Sequence, residues 1–192
     1  MYDENSNIVG AELQGVTSKR FKGVKEGSKY GYGFNVRFSN DNTYNYALFF
    51  ESAIDLISFI DYKKNHENMS LNRCILISMA GLKKNVVRHT LKMLGDKINP
   101  VLCVDNDKAG EDFTDDINIA CSNFDFTDCS PDRKFKDWNE QLMAVKRRSP
   151  PVGRLLVRSI VGSQGVPVPN IRDETPTDTQ KKERERDNYE NR

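Results

Sequence analysis

Three short runs decide most of what this chain can fold into: Tyr46-Ala-Leu-Phe-Phe50, Cys74-Ile-Leu-Ile-Ser-Met79 and Pro100-Val-Leu-Cys-Val104. Each is apolar almost from end to end and has the length of a strand, not of a helix. A strand without a polar face needs cover on both sides, and the intervening sequence supplies it. Ala53, Leu56, Ile57 and Ile60 recur at helical spacing after the first run, and Val87, Thr90, Leu91 and Leu94 after the second. Ala109, Phe113, Ile117 and Ala120 do so after the third. Phe124-Asp-Phe126 reads as a fourth, short strand, and Trp138, Leu142 and Val145 mark a last helix. Strand and helix in alternation predict an α/β fold with a mostly parallel sheet flanked by helices.

Outside residues 43–148 the pattern changes. Residues 1–42 carry short alternating runs (Ile8-Val9, Ala11-Glu12-Leu13, Phe34-Asn-Val-Arg-Phe38) punctuated by Gly10, Gly15, Gly23, Gly27, Gly31 and Gly33, which predicts a small glycine-rich β segment. Gly27-Ser-Lys-Tyr-Gly31 lacks the Lys-Ser/Thr ending and following helix of a phosphate-binding loop, so a hairpin turn is expected there. From Ser149-Pro-Pro151 onward the apolar signal decays. Residues 149–192 read as a linker and a polar, disordered tail whose mixed charges designate no partner.

Bulk charge excludes little: 29 Lys and Arg balance 28 Asp and Glu, so any basic surface has to be local. Lys63-Lys64, Lys83-Lys84, Arg88 and Lys92 are candidates for phosphate contacts, with solvated helix faces as the alternative, and no aromatic residue is interleaved among them. Cys74, Cys103, Cys121 and Cys129 show no CxxC pairing, which argues against a zinc ribbon. Cys74 and Cys103 fall in apolar runs as reduced core residues. The polar, acidic start does not resemble a signal peptide, and no apolar stretch approaches membrane-spanning length. A cytoplasmic protein with no membrane partner is expected.

The chemistry concentrates in Val104-Asp105-Asn-Asp107-Lys-Ala-Gly110. Two acids directly after a buried strand lie at the sheet edge where α/β folds place their sites. Carboxylates this close repel unless a cation lies between them, and hard oxygen ligands favour Mg²⁺, hence phosphate chemistry. Glu51 closes the first strand as Asp105 closes the third. If those strands are parallel, Glu51, Asp105 and Asp107 converge and would hold one or two divalent cations. Structural roles compete: Asp107 is placed to cap the helix near Ala109, and Ser52/Asp55 and Asp137/Glu140 have capping-box spacing. Asp105-x-Asp107-x-x-Gly110 with Asp116 also starts like a calcium loop, but Ala109 stands at a ligand position and a strand precedes it. An aspartyl-nucleophile phosphatase would want Thr or Val where Ala109 stands, and it leaves Glu51 unexplained.

Together, Phe50-Glu51-Ser-Ala-Ile-Asp55, Val104-Asp105-Asn-Asp107-Lys-Ala-Gly110 and Lys136-Asp137-Trp138-Asn139-Glu140 resemble a Toprim domain, the metal-binding fold of bacterial primases, topoisomerases and some nucleases. The resemblance spans residues 5–147 and is nearest to the primase-like Toprim proteins of plasmids, conjugative elements and phages of Gram-positive bacteria. It implies that Glu51 is a metal ligand and proton-transfer group and that Asp105 and Asp107 bind Mg²⁺, with Mn²⁺ as substitute. Gly110 would open the following helix, Asp137 would approach the metal and Lys136 would contact phosphate. It further implies a DNA partner, single-stranded, alongside replication or conjugation proteins. Ser52 departs from the glycine common after the glutamate. The zinc module and further subdomains of a complete primase are missing, so a truncated form or one needing a partner is an expectation. Three readings follow: a Mg²⁺-dependent primase-like nucleotidyltransferase, a Toprim-type nuclease, or a non-catalytic nucleic-acid-binding module.

Overall fold

A computed structural model describes residues 1–15, 22–39 and 43–148. The expected disordered tail at 149–192 lies outside the described residues. The elements are β1 (Glu12–Gln14), β2 (Lys22–Val24), β3 (Phe34–Arg37), β4 (Tyr46–Phe50), α1 (Ala53–Asn65), β5 (Cys74–Ser78), α2 (Lys84–Leu94), β6 (Asn99–Cys103), α3 (Lys108–Ala120), β7 (Thr127–Asp128) and α4 (Trp138–Arg148). The three apolar runs form β4, β5 and β6, parallel neighbours in a five-stranded sheet of order β3-β5-β4-β6-β7. β7 extends it in parallel and β3 closes the other edge antiparallel to β5. β1 and β2 form a separate antiparallel pair.

Two apolar layers cover the sheet because alternate residues of a strand point to opposite faces. Ala47 and Phe49 of β4 pack with Val86, Val87, Leu91, Phe113 and Ile117 of α2 and α3. Leu48 and Phe50 point the other way, to Leu56, Phe59 and Trp138 of α1 and α4. Phe49, Phe50, Phe59 and Leu56 are fully buried, each contributing about 1.5–3 kcal/mol by transfer from water. Among the described residues no helix is long and apolar enough to cross a membrane.

The structure differs from the sequence reading in three places. The fourth strand is the polar pair Thr127-Asp128, not 124–126: Phe124 and Phe126 pack against the α2–α3 core from irregular backbone, and Cys129 N–H bonds to Leu102 O to close the ladder. Ile57 is 55% exposed, because α1 turns Leu56 and Phe59 inward. The segment at Gly27 is a turn that does not join paired strands, since β3 pairs with β5. Gly33 permits that pairing, as a Cβ there would lie 2.1 Å from Ser78 O.

Candidate metal and phosphodiester site

The chain order creates a crevice. α1 crosses from β4 to β5 on one face of the sheet, whereas α2 carries the chain from β5 back past β4 to β6 on the other. Connections diverge at β4, so the C-terminal ends of β4 and β6 flank the topological switch point where α/β sheets bind ligands. Register pairs Phe50 with Cys103. Glu51 and Asp105 therefore leave the sheet on opposite sides of this crevice, within a residue of the same level.

Asp105 is only 6% exposed. Burial, then the charges of Glu51 and Asp55, with a further contribution from Asp137, push its carboxyl up to about 7 against the attraction of Lys136. Three neighbouring acids thus act on Asp105. Lys136 Nζ lies 3.5 Å from Asp105 Oδ2 and 3.4 Å from Asp107 Oδ2. Burial lowers the affinity of this ammonium for its proton, but Asp105 and Asp107 outweigh it and hold the pKa above the ordinary value.

Asp107 has two functions, one for each oxygen. Its Oδ1 accepts from Ala109 N and Gly110 N, both 3.1 Å, and caps α3. Its Oδ2 faces Lys136. The cap from Gly110, more than the ammonium, holds this carboxyl below its usual range. Gly110 is required by closeness: a Cβ there would sit 2.1 Å from Asp105 O.

Asn106, between the two acids, was not singled out by the sequence. Its N–H donates to Lys136 O at 2.7 Å and its Nδ2 to Pro131 O and Phe135 O at 2.8 and 2.9 Å. These bonds fasten the loop before α4 over the Asp-x-Asp turn and bring Lys136 to the acids. The only local signal was an amide in a polar turn. Asp137 caps α4, accepting from Glu140 N at 2.7 Å, while Glu140 Oε2 accepts from Lys136 N at 2.7 Å.

On the β4 side, Ser52 caps α1, its Oγ accepting from Asp55 N at 3.3 Å and donating to Asp55 Oδ2 at 2.5 Å. Asp55 Oδ1 also accepts from Asn139 N at 3.4 Å, linking α1 to α4. The sequence presented Asp55 as a capping residue and as the end of the Glu51 motif, with no link to α4. Glu12 was missed as well. It reaches across from β1, accepting from Ala53 N at 3.0 Å and from Ser78 Oγ at 2.6 Å, and no sequence signal marks a contact of that separation.

Among the described residues, no three His, Cys, Asp or Glu side chains are grouped tightly enough to hold a metal ion as they stand. The donor chemistry nevertheless fits a hard divalent cation. The acids offer only oxygen, Asp105 resists ionisation among like charges, and Lys136 already supplies one positive charge between Asp105 and Asp107.

Residues 48–142 match the Toprim-like family, and the chain is a Toprim-domain protein. An uncharacterized protein of Bacillus anthracis is 31% identical over 166 residues, covering 76% of this chain and 46% of that protein. A 65 kDa protein of Zymomonas mobilis is 31% identical over 157 residues, covering 77% of this chain and 26% of that protein. The chain spans less than half the length of either relative. The primase fragment of the bacteriophage T7 primase-helicase has a similar fold, with TM-score 0.51 and 14% identity over 77% of this chain and 57% of that one. T7 primase domains captured with the lagging-strand polymerase give TM-score 0.50 and 14% identity, covering 85% and 76%.

Proposed function

We propose that this chain carries out Mg²⁺-dependent, primase-like phosphodiester chemistry on single-stranded DNA during replication or transfer of a mobile element. The observation that carries this reading is Asp105, buried at the switch-point crevice with its charge opposed by Glu51 and Asp55 and countered by Lys136. A fold stores such repulsion at a site more readily than in a core.

Asp105, the Oδ2 of Asp107 and Glu51 would hold the cation, with Asp137 beside them. A bound Mg²⁺ would supply charge neutralisation at phosphate and make an attacking hydroxyl more acidic. Glu51 stands at the mouth of the crevice, only half-buried, to take the proton of that hydroxyl. Lys136, with its side chain 59% exposed, meets a phosphate oxygen, and the Asn106 clamp fixes its approach. The α3 cap holds Asp107 while its outer oxygen serves the ligand.

Primer synthesis from nucleoside triphosphates and shortening of a labelled strand, assayed side by side on wild type and Asp105→Asn, test the proposal. Template-dependent extension lost in the variant supports it. Strand shortening lost in the variant reassigns the site to a nuclease, and activity unchanged in Asp105→Asn removes the site altogether.

A further inference from the structure

The structure corrects one expectation about the basic residues: an aromatic side chain does stand among them, brought from elsewhere in the chain. Gly31, at φ +85°, lies against α2, where a Cβ would come within 3.1 Å of His89 Cβ. This close approach splits the two tyrosines that flank it. Tyr32 folds inward, its ring centroid 4.5 Å from that of His89. Tyr30 turns outward and is 85% exposed.

Tyr30 lines a hollow of about 590 Å³ with Leu82, Lys83, Lys84, Asn85 and Arg88. Lys84 is paired with Asp116 of α3, whereas Lys83 and Arg88 have no ion-pair partner among the described residues. Lys84, Arg88 and Lys92 recur every fourth residue and so share one side of α2. The hollow begins where β5 ends, on the same sheet edge as Glu51. Gly81 N–H, two residues before Lys83, donates to Glu51 O at 2.8 Å.

An exposed ring explains nothing about the fold, and unpaired cations beside it repel one another. A polymer with flat apolar faces joined by phosphates satisfies both groups at once. We propose that Tyr30, Lys83 and Arg88 form a track for single-stranded nucleic acid, with a base stacked on Tyr30 and phosphates on the two cations, leading to the Glu51–Asp105 crevice. This deepens the function proposed above and rests on it for the class of polymer. Lys84 is excluded from direct contact by its pairing with Asp116.

Fluorescence anisotropy of labelled oligothymidylate and oligouridylate, measured in EDTA across a salt series, tests the track without the metal site. Tyr30→Ala is expected to weaken binding about 5- to 150-fold with an unchanged salt slope, and Tyr30→Phe to restore it. Lys83→Gln and Arg88→Gln should each lower the logarithmic salt slope by about 0.7. Thermal melts of all four variants check that the fold persists. A loss on either oligomer supports the track, and the ratio of the two reports DNA against RNA. Wild-type affinity in both Tyr30→Ala and Arg88→Gln overturns it. So does displacement by poly-glutamate as effective as by unlabelled oligothymidylate, or no binding by wild type. Failure of primer synthesis with the anisotropy results intact would remove the proposed chemistry and leave the track.

Discussion

Replacing Asp105 by Asn should stabilise the metal-free protein while removing its response to Mg²⁺. The unfolded carboxyl ionises near 3.8 and the folded one near 7. Between those values the native state holds a proton that the unfolded state has lost, so wild-type stability falls as pH rises through this window. It is unaffected by this group below the window and levels off above it. The difference of about 3 pH units amounts to about 4 kcal/mol as an upper limit. Asn has the same shape, no charge and no titration, so it escapes that loss. In EDTA at pH 8 the variant should melt higher than wild type by up to roughly 16 °C, given about 2–4 °C per kcal/mol for a domain of this size. At pH 4 the gap should shrink below about 1 kcal/mol. Added Mg²⁺ closes the gap, stabilising wild type by about 2.7 kcal/mol at a hundredfold excess over Kd and by about 4.1 kcal/mol at a thousandfold, and the variant hardly at all. Calorimetric melts at the two pH values, with and without Mg²⁺, read all of this. An Asp105→Asn variant that melts below wild type in EDTA at pH 8 would refute the argument, because Asp105 would then be a structural ligand of the fold and not a strained site group.

Gly110→Ala forces a Cβ onto the Asp105 carbonyl oxygen; a cost at the upper end of about 1–3 kcal/mol is expected in urea denaturation, and a midpoint unchanged from wild type would contradict the contact. Asn106→Ala removes two short bonds to the loop before α4, so a loss of about 2 kcal/mol should accompany faster tryptic cleavage at Arg133, Lys134 and Lys136. The bond from Cys103 lowers the Cys129 thiol to about 7, despite burial, whereas burial raises Cys74, Cys103 and Cys121. Iodoacetamide should therefore label Cys129 first, with a rate that climbs through pH 7, as peptide mass mapping would show. Trp138 is the sole tryptophan and directly follows Asp137, so its fluorescence should change on Mg²⁺ addition in wild type and stay constant in Asp105→Asn.

Strand and helix alternation was legible because it is a local pattern: β4 matches the sequence reading residue for residue, and β5 and β6 differ by one residue at their ends. What escaped is non-local. β3 joins the sheet through Gly33's approach to Ser78, a contact between segments far apart in the chain. β7 forms where the backbone reaches Leu102, not where the aromatic residues are, because Phe124 and Phe126 bury their rings without ladder bonds. Residue type and strand position suggested Glu51, Asp105 and Asp107, since acids directly after apolar strands lie at the sheet edge where α/β folds place their sites. Asn106, Asp55 and Glu12 act through bonds to backbone atoms elsewhere, which leave no periodic trace.

The helix cap on Asp107 uses one of its two oxygens, which leaves the other for the ligand role proposed above. Capping consumes Oδ1, orients the carboxylate and lowers its pKa, with Oδ2 left to face Lys136. Asp105 has the opposite bias, buried and reluctant to ionise. One crevice thus sets an acid biased toward ionisation beside one biased against it, and arriving positive charge favours release of the second proton. Lys136 provides part of that charge from an exposed loop, and an ammonium on a flexible stem is easily displaced. A divalent cation entering between the two acids would free Lys136 to turn toward a phosphate. Lys136→Met should accordingly weaken turnover more than Mg²⁺ affinity. Removal of a competing cation would even tighten metal binding, and a variant with Mg²⁺ affinity lowered in step with activity would show Lys136 to be part of the metal site itself.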